Sequence, residues 1–350
     1  MDTKGKRVCV ALSGGVDSST AAAILLERGY NCFGAFIISC EQAAESSIKA
    51  RKIADELGIE LHILDLQKDF EQILEYFCSE YKRGRTPNPC VYCNRFIKFG
   101  KLLSFAQSKG ADYLATGHYA KIIKNKNQQW LYAADTVKDQ SYALAMIRRD
   151  VLEHLLLPLG DYDKEQIREM AKQLKLSSAK REESQEICFI PDDDYAAALE
   201  QRCPEVARQG KIVNSKGNIL GQHNGVHKFT IGQRRGLRVA MGVPYYVVGL
   251  DAETNTVILG PKEELMHRRL SASEVNWLID EPHKPFCATV KTRYNDNGKV
   301  AKVYPKSDVV EIEFDELVAA ITPGQLAVFY ISQGRNSRVA GGGWINRAWD

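Results

Sequence analysis

Residues 8–26 read VCVALSGGVDSSTAAAILL, and this stretch decides the fold. An apolar run at 8–12 leads into a glycine turn at 13–15, which leads into a run typical of a helix. Two glycines let the backbone turn tightly, and a helix that begins there points its unsatisfied N–H groups and its positive dipole end at one spot. The stretch therefore predicts a phosphate site, although a plain Asp or Ser cap after a glycine turn would suit any α/β protein.

The turn differs from the commonest phosphate-binding loop in its charged residue. A Walker A loop reads Gly-x-x-x-x-Gly-Lys-Ser/Thr, and no such string occurs in the sequence. Asp17 stands in the turn instead. Because a carboxylate repels a bound phosphate unless a divalent cation lies between them, Asp17 predicts Mg²⁺ carried by a nucleotide.

Short apolar runs alternate with helical runs over the first half of the chain. Strands are predicted at 7–12, 32–38, 60–66 and 111–116. This alternation predicts a parallel sheet covered by helices, with ligands at the carboxyl ends of its strands. Beyond residue 203, strand-like runs are separated by turn signals at 214–217, 251–255 and 295–298. We therefore expect an α/β protein with a parallel-sheet domain at 1–200 and two smaller β-rich domains at 201–265 and 266–350.

Composition points to a globular protein, and local charge points to a partner. The 350 residues are 44% hydrophobic and 26% charged, with a net charge of only +3. Residues 81–101 nevertheless carry six Lys or Arg and no Asp or Glu, and residues 206–250 carry seven and again none. Such segments predict a polyanion larger than a nucleotide, with a solvated basic face as the alternative.

Nine cysteines, an odd number, do not indicate a disulfide framework. No signal peptide or membrane span is recognisable, so we expect a soluble, cytoplasmic protein in a reducing compartment. Core packing is the default for five of the cysteines, namely Cys9, Cys32, Cys78, Cys203 and Cys287. Cys40, at the end of the second strand, stays unassigned.

Two other cysteine strings are candidates for chemistry. Residues 87–94 read PNPCVYCN, and their prolines predict a stiff loop and no helix. Cys90 and Cys93 in that loop suit a metal, a redox pair or two buried cysteines placed by chance. Cys188, between Ile and Phe in ESQEICF at 183–189, would usually be core. Together with a nucleotide site, two reactive thiols predict a reaction in which ATP activates an oxygen that sulfur then replaces.

Three further strings could bind ligands. Gly117 and His118 end the strand at 111–116, where glycine would let a nucleoside approach the backbone, although a lone His is more often structural. Lys138, Asp139 and Gln140 open a later helix. Arg234 and Arg235 lie between glycines inside the second basic segment, which favours contact with nucleic acid.

Taken together, these strings closely resemble the tRNA-specific 2-thiouridylases, the MnmA family of PP-loop ATP pyrophosphatases. The resemblance runs nearly end to end and assigns residues 1–200 to the PP-loop domain. The matching strings lie at 13–19, 84–89, 93–94, 97–99, 115–119, 138–142, 187–190, 232–234, 290–294 and 322–325.

The resemblance implies a reaction on the wobble uridine of tRNAs for Lys, Glu and Gln. ATP would adenylate the 2-oxygen and release pyrophosphate, and a persulfide on Cys188 would then supply sulfur as AMP leaves. Cys93 would attack to release the sulfur, leaving a Cys93–Cys188 disulfide. The implied partners are tRNA and an upstream sulfur-relay or cysteine desulfurase protein, and the implied state is a monomer.

The resemblance also implies binding residues. For ATP they are Ala11, Leu12, Ser13, Gly14, Gly15, Val16, Asp17, Ser18, Ile37 and Gly117. For tRNA they are Asn88, Pro89, Cys90, His118, Lys138, Asp139, Gln140, Arg293, Tyr294 and Gln325, to which the basic segment adds Arg234 and Arg235.

Two positions depart from the family pattern. Many members carry Asp, a candidate acid/base, where this chain has Cys90, so Cys90, Cys93 and Cys188 could instead hold an iron-sulfur cluster. Ile37 stands where members commonly have Met. Two other functions stay open on the residues: another PP-loop adenylating synthetase, and a non-catalytic tRNA-binding protein.

Overall fold

The structure is a computed structural model that describes residues 5–126, 128–181, 188–190, 194–237, 239, 242–334 and 336–350, without the side chains of 41, 42 and 44. Residues 183–187 of the string before Cys188 lie outside this description. The chain divides into two compact units. The first unit comprises Met1–Gln72, Cys90–Gln185 and Ser332–Ala340, and the second comprises Ile73–Pro89, Glu186–Ile331 and Gly341–Asp350.

The helices and strands alternate through the first half of the chain. In order they are β1 (Arg7–Ala11), α1 (Val16–Glu27), β2 (Asn31–Ile38), α2 (Glu41–Leu57), β3 (Leu61–Asp65), α3 (Gln67–Lys82), α4 (Pro89–Cys93), a π-helix (Asn94–Leu102), α5 (Leu103–Ser108), β4 (Tyr113–Ala115), β5 (Ala120–Asn125), β6 (Gln128–Ala133), α6 (Ser141–Leu144), β7 (Leu155–Leu156) and α7 (Lys164–Gln173). Short 3₁₀ turns lie at Arg149–His154 and Ser177–Lys180.

The second half is mostly strand. It contains α8 (Tyr195–Arg202), β8 (Gly210–Asn214), β9 (Ile219–His223), β10 (Tyr246–Asp251), β11 (Thr256–Gly260), β12 (Met266–Trp277), β13 (Phe286–Lys291), β14 (Lys299–Pro305), β15 (Val309–Ala319), β16 (Leu326–Gln333) and β17 (Asn336–Trp349). Its 3₁₀ turns are Pro204–Val206, Val226–Lys228 and Lys262–Leu265.

The first unit is built on a five-stranded sheet in the order β3-β2-β1-β4-β7. All its pairings are parallel, as predicted. The chain moves outward from β1 to β3 and then returns to place β4 on the other side of β1. Ligands of such sheets bind where the strand order reverses, outside the carboxyl ends of the strands. The glycine turn after β1 and the loop after β4 therefore flank this switch point.

Apolar packing fixes α1 against the sheet and against α7. Val8 and Val10 of β1 are fully buried, as a strand covered on both faces requires. On the other side of α1, Val16 and Ile24 join a cluster that includes Ile167 of α7. The start of α1 is thus held firmly beside the start of α7.

The second unit contains two β-structures, which confirms the predicted fold class. One is a four-stranded sheet in the order β10-β11-β8-β9, and the predicted turns at 214–217 and 251–255 join its two hairpins. In each turn an Asn214 or Asp251 side chain accepts backbone N–H groups two to four residues ahead. The other comprises six strands of an eight-stranded sheet, in the order β12-β15-β14-β13-β16-β17, and β12 also pairs with β17, which closes these six strands.

Two sequence predictions are wrong. Residues 89–93 form helix α4 and not a loop, because Pro89 is the first helical residue, where its missing N–H has no partner to lose. Cys287 is exposed because it alternates with the buried Ala288 and Val290 along β13.

Cys78 and Cys203 are buried, as expected, but they form a disulfide that the sequence did not predict. Their neighbours include Phe77, Tyr81 and Leu199. Cys9 and Cys32 are packed in the core as predicted, and burial raises the pKa of Cys9 to about 12 and that of Cys32 to about 11. Both are therefore inert thiols at neutral pH.

Within the described part of the chain, the structure contains no helix with the length and apolar character needed to cross a membrane.

Candidate active site

The glycine turn forms a compact loop at the switch point. Gly14 has φ +77°, a conformation that favours glycine. The Ser18 hydroxyl donates to the Gly15 carbonyl at 3.2 Å and accepts the Ser13 N–H at 3.2 Å, which ties the loop to the first turn of α1. Because the first N–H groups of a helix have no intrahelical partner, this turn can bind an anion.

Asp17 is held by two side chains from distant parts of the first unit. The Lys164 ammonium donates to Oδ1 at 2.7 Å and to Oδ2 at 2.8 Å, and the Tyr119 hydroxyl donates to Oδ1 at 2.7 Å. A carboxylate has about four lone-pair sites, and the side chains that the structure describes use three of them. Asp17 can therefore still offer an oxygen to Mg²⁺. Sequence reasoning missed Lys164 because no local motif marks it.

Gly117 lies against the phosphate loop itself. A Cβ at this position would come within 2.9 Å of the Asp17 carbonyl carbon and of the Ser18 backbone nitrogen. Only glycine lets the backbone after β4 approach the first turn of α1 so closely. The sequence predicts that glycine here lets a nucleoside approach the backbone. In the structure, the backbone of Asp17 and Ser18 lies close to Gly117.

Substituting Gly117 with alanine is expected to displace the phosphate loop. Real Cβ atoms are not found at such short distances, so Asp17 and Ser18 must move. We expect nucleotide affinity to fall by about tenfold, the effect of a 1–2 kcal/mol strain, in isothermal titration calorimetry. Gly221→Ala is the matched control, because its Cβ would meet nothing closer than 3.7 Å. Equal affinity in the two variants would contradict this role for Gly117.

The two thiols of the first unit lie on one short helix that continues into the π-helix. Cys90 is exposed, and Cys93 is half-buried at the junction. Backbone hydrogen bonds of a π-helix span five residues, so Lys98 lies about one turn beyond Cys93. Burial raises the pKa of Cys93 above its ordinary value, and the Lys98 charge opposes that rise. The same two effects act on Cys90, where contact with solvent limits them.

Removing the Lys98 charge should make Cys93 less reactive. Loss of a nearby cation raises a thiol pKa, so in Lys98→Met the pH midpoint of Cys93 alkylation should rise by about half a unit or more. The midpoint can be read by mass spectrometry with iodoacetamide between pH 6 and 10. Lys101→Met is the control, since Lys101 lies on the same π-helix but pairs with Asp69 of α3. An unshifted midpoint in Lys98→Met would exclude this electrostatic effect.

His118 is neutral at physiological pH. Burial and, secondarily, the Lys98 charge hold its pKa well below the ordinary range. Its Nδ1 lies 2.7 Å from the Thr116 hydroxyl, and its ring lies 5.8 Å from that of Phe99. His118 therefore offers a neutral, oriented ring and not a charge.

Asp139 and Gln140 hold their own loop. The Asp139 carboxylate accepts hydrogen bonds from the backbone N–H groups of Ala134 and Ser141, at 3.0 and 3.1 Å. The side-chain Oε1 of Gln140 accepts one from the Tyr119 N–H at 3.1 Å. Lys138 precedes them and is partly exposed.

The second unit brings together strings that are far apart in sequence. Gln325 Nε2 donates to the Thr86 carbonyl at 2.9 Å and to the Pro87 carbonyl at 3.3 Å, so it fixes the segment that leads to Asn88 and Pro89. Asn88 is partly exposed, whereas Pro89 is buried. The predicted RNA-contact residues at 88 and 325 are therefore neighbours.

Arg293 joins two more of these strings. Its Nη2 donates to the carbonyls of Ile231 and Ala320, at 2.8 and 2.6 Å, and to the Thr322 hydroxyl at 2.6 Å. Arg234 and Arg235 are exposed on the turn that follows Ile231, and Tyr294 is 39% exposed. Arg293 thus anchors the turn that presents the two exposed arginines.

Cys188 is exposed in the second unit, contrary to the usual core position of a cysteine between apolar residues. The residues after it are anchored: the Phe189 ring lies 5.5 Å from that of Phe77, and Ile190 is 4% exposed. The disulfide of the described residues joins Cys78 to Cys203, whereas Cys93 and Cys188 are thiols in different units.

Among the side chains that the structure describes, no three His, Cys, Asp or Glu residues are grouped so that they could hold a metal ion.

Three family models match the chain in succession. They are described as a tRNA methyl transferase HUP domain at residues 6–192, a tRNA methyl transferase PRC-barrel domain at 197–261 and an aminomethyltransferase beta-barrel domain at 267–345. The tRNA-specific 2-thiouridylase MnmA of Carboxydothermus hydrogenoformans is 45% identical over 367 residues, covering 99% of this chain and 100% of the relative. This chain belongs to the tRNA-specific 2-thiouridylase family.

Membership in the 2-thiouridylase family rests on the whole chain and not on the phosphate loop alone. The 2-thiouridylase of Halothermothrix orenii is also 45% identical, over 97% of this chain and 98% of its own length. That of Acetivibrio thermocellus is 43% identical, over 97% and 99%. The resemblance of the sequence to this family is thereby confirmed.

Proposed function

We propose that this chain is an ATP-dependent sulfurtransferase that converts the wobble uridine of tRNAs for Lys, Glu and Gln to 2-thiouridine. The observation that carries the proposal is the full-length identity to 2-thiouridylases in a chain that has a phosphate loop at the switch point and reduced, solvent-reachable thiols. Another PP-loop synthetase would not need the two β-structures, and a non-catalytic RNA-binding protein would not need the intact loop.

The first step belongs to the phosphate loop. The uracil 2-oxygen attacks the α-phosphorus of ATP, the α–β bridging bond breaks, and pyrophosphate leaves. We assign phosphate binding to N–H groups of residues 13–18. We assign the remaining nucleotide contacts to Ala11 and Leu12, at the end of β1, and to Ile37, near the end of β2. Asp17 would offer an oxygen to Mg²⁺ carried by the nucleotide, and the cation would offset phosphate charge.

The second step belongs to the thiols. The terminal sulfur of a persulfide on Cys188 attacks C2, and AMP departs with the former 2-oxygen. The Cys93 thiolate then attacks the Cys188 sulfur, the sulfur–sulfur bond breaks, and the thiocarbonyl is left on the base. Cys93 and Cys188 end as a disulfide, which a cellular thiol must reduce before an upstream desulfurase or relay protein reloads Cys188.

The RNA contacts divide into two kinds. Some of the proposed RNA-binding side chains can contact RNA directly because they are exposed or partly exposed, namely Arg234, Arg235, Lys138 and Tyr294. Arg293, Gln325, Asp139 and Gln140 already hold local backbone, so we assign them the positioning of these contacts. We assign contact with the extruded base to Asn88, Pro89 and Cys90, and a further RNA contact to the neutral ring of His118. Cys90 would replace the family carboxylate as the proton carrier.

We further propose that the catalytic domain spans residues 1–200, the central domain 201–265 and the last domain 266–350. The family-model matches, at 6–192, 197–261 and 267–345, support these limits. We propose that the enzyme acts as a monomer in the cytoplasm.

The activity can be tested with purified protein, tRNA, MgATP and a persulfide donor. We expect 2-thiouridine by nucleoside mass spectrometry, with one AMP and one pyrophosphate formed for each thiolated base. A methylated base, which the family-model descriptions would suggest, is separated from a thiolated one by mass. ATP turnover without thiolation would contradict the proposal.

An iron-sulfur cluster on Cys90, Cys93 and Cys188 is the alternative route for sulfur. The free-thiol route predicts that anaerobic reconstitution with iron and sulfide leaves the protein without visible charge-transfer absorption and without retained iron. Retained iron that is lost in Cys90→Ser would favour the cluster.

A further inference from the structure

Residues 85–88, which lead to the proposed base contacts and are called the base-contact segment below, are docked on the closed β-structure by more than Gln325. The Thr86 N–H donates to the Pro323 carbonyl at 3.0 Å. Gly324 has φ +90°, and a Cβ there would lie 2.8 Å from the Thr86 carbonyl oxygen and 3.0 Å from the Thr86 nitrogen. The two backbones are therefore in contact, and no side chain fits between them.

The residues on the other side of this contact are tied to β17. The Gly324 N–H donates to the Ile345 carbonyl at 3.0 Å, and the Ile345 N–H donates to the Gln325 carbonyl at 2.8 Å. Ile345 lies on β17 and is fully buried. Because Gly324 is held in this way, a Cβ at its position would displace the base-contact segment.

Arg85 fixes the start of the base-contact segment. Its Nη2 donates to the Ile345 carbonyl at 3.3 Å, and its Nε lies 2.8 Å from Oε2 of Glu80 on α3. Among the residues that the structure describes, Glu80 is the one carboxylate that is buried, and Arg83 also pairs with it, at 3.2 Å. A buried carboxylate is costly unless it is paired, so Arg85 is held between α3 and β17.

We propose that Gly324 and Arg85 are positioning residues, which hold the base-contact segment where the wobble base must react. This inference rests on the proposed thiolation of that base. A base held about 1 Å from its productive position can react about 100-fold more slowly. The closed β-structure thus contributes to the rate of the reaction and not only to the affinity for RNA.

Two plainer roles compete with this one. The docking could serve only the stability of the fold, in which case ATP binding, RNA binding and thiolation would decline together with the folded fraction. It could also serve only the affinity for RNA, in which case saturating tRNA would restore the full rate. Measuring kcat and KM for tRNA separately distinguishes these roles from positioning.

The main experiment compares Gly324→Ala with Gly334→Ala. Gly334 connects β16 to β17 of the same β-structure and also has a positive φ, +65°, but a Cβ there would meet nothing within 4 Å. The two variants therefore share the backbone strain and differ in the contact with Thr86. We expect Gly324→Ala to lower kcat for thiolation at least about tenfold, with KM for tRNA within about threefold, and Gly334→Ala to change kcat less than about twofold.

A second pair of variants tests Arg85. Arg85→Met should also lower kcat about tenfold, and Arg85→Lys, which keeps the charge beside Glu80, should recover part of it. Arg83→Met is the control, because Arg83 pairs with the same carboxylate and is 67% exposed.

Equal losses of kcat in the two glycine variants, or a loss that appears only in KM for tRNA, would overturn the inference. Absence of thiolation by the wild-type protein would instead overturn the proposed function. If thermal unfolding shows that Gly324→Ala is not folded, Arg85→Lys beside Arg83→Lys provides the same comparison of kcat with KM.

Discussion

Replacing Cys188 with alanine should abolish 2-thiouridine formation, by at least about a thousandfold, because a covalent sulfur carrier has no substitute. Cys188 is exposed, so other molecules can reach its thiol. The residues that follow it are held in place by the ring contact of Phe189 and the burial of Ile190. Adenylation precedes sulfur transfer, so pyrophosphate release in a single turnover should survive. Nucleoside mass spectrometry of tRNA, beside a pyrophosphate assay, measures both.

Cys287→Ala is the matched control for this substitution. Cys287 is also an exposed thiol of the second unit, but it lies on β13 of the closed β-structure. It should leave thiolation unchanged. Thiolation that survived in Cys188→Ala and disappeared in Cys287→Ala would show that the sulfur carrier had been assigned to the wrong cysteine.

Replacing Asp17 with asparagine should reduce pyrophosphate release by about a hundredfold. Asparagine keeps one side-chain oxygen that can accept a hydrogen bond from Lys164 or Tyr119. It loses the negative charge that balances the Lys164 ammonium, and it also loses the oxygen site for Mg²⁺. Asp17 is not among the residues proposed to contact RNA, so tRNA affinity in a filter-binding assay should stay within about twofold.

Asp161→Asn controls for the loss of one surface carboxylate in the same unit. Asp161 pairs with Lys121 and is 73% exposed, so its substitution should leave pyrophosphate release at the wild-type rate. Normal pyrophosphate release in Asp17→Asn, or a parallel loss of tRNA binding, would remove Asp17 from the ATP step.

Local sequence signals were enough to predict the parallel sheet and the position of the glycine turn at a strand end. A buried apolar strand, a glycine turn and a helix follow one another at 8–26, and their order alone places the loop at a strand end. The turns at Asn214 and Asp251 could be predicted equally well. Their short polar side chains accept hydrogen bonds from backbone N–H groups no more than four residues away, so the signal is local.

What escaped the sequence depends on distant contacts. Lys164 reaches Asp17 across 147 residues, and Cys78 meets Cys203 across 125, and neither pairing leaves a periodic trace. Arg293 and Gln325 resemble RNA contacts in sequence, yet the fold employs both to hold backbone carbonyls. The prediction of a loop at Pro89 failed for a different reason. Proline disrupts a helix when it lies in the interior but is well tolerated as the first helical residue.

The central claim is that ATP activates the 2-oxygen of the uracil. The most direct test is a single turnover on tRNA whose wobble uridine carries ¹⁸O at C2. The account predicts that each 2-thiouridine formed is matched by one AMP with ¹⁸O in its phosphate group and by unlabelled pyrophosphate. Recovery of the label in water or in pyrophosphate, with unlabelled AMP, would contradict it.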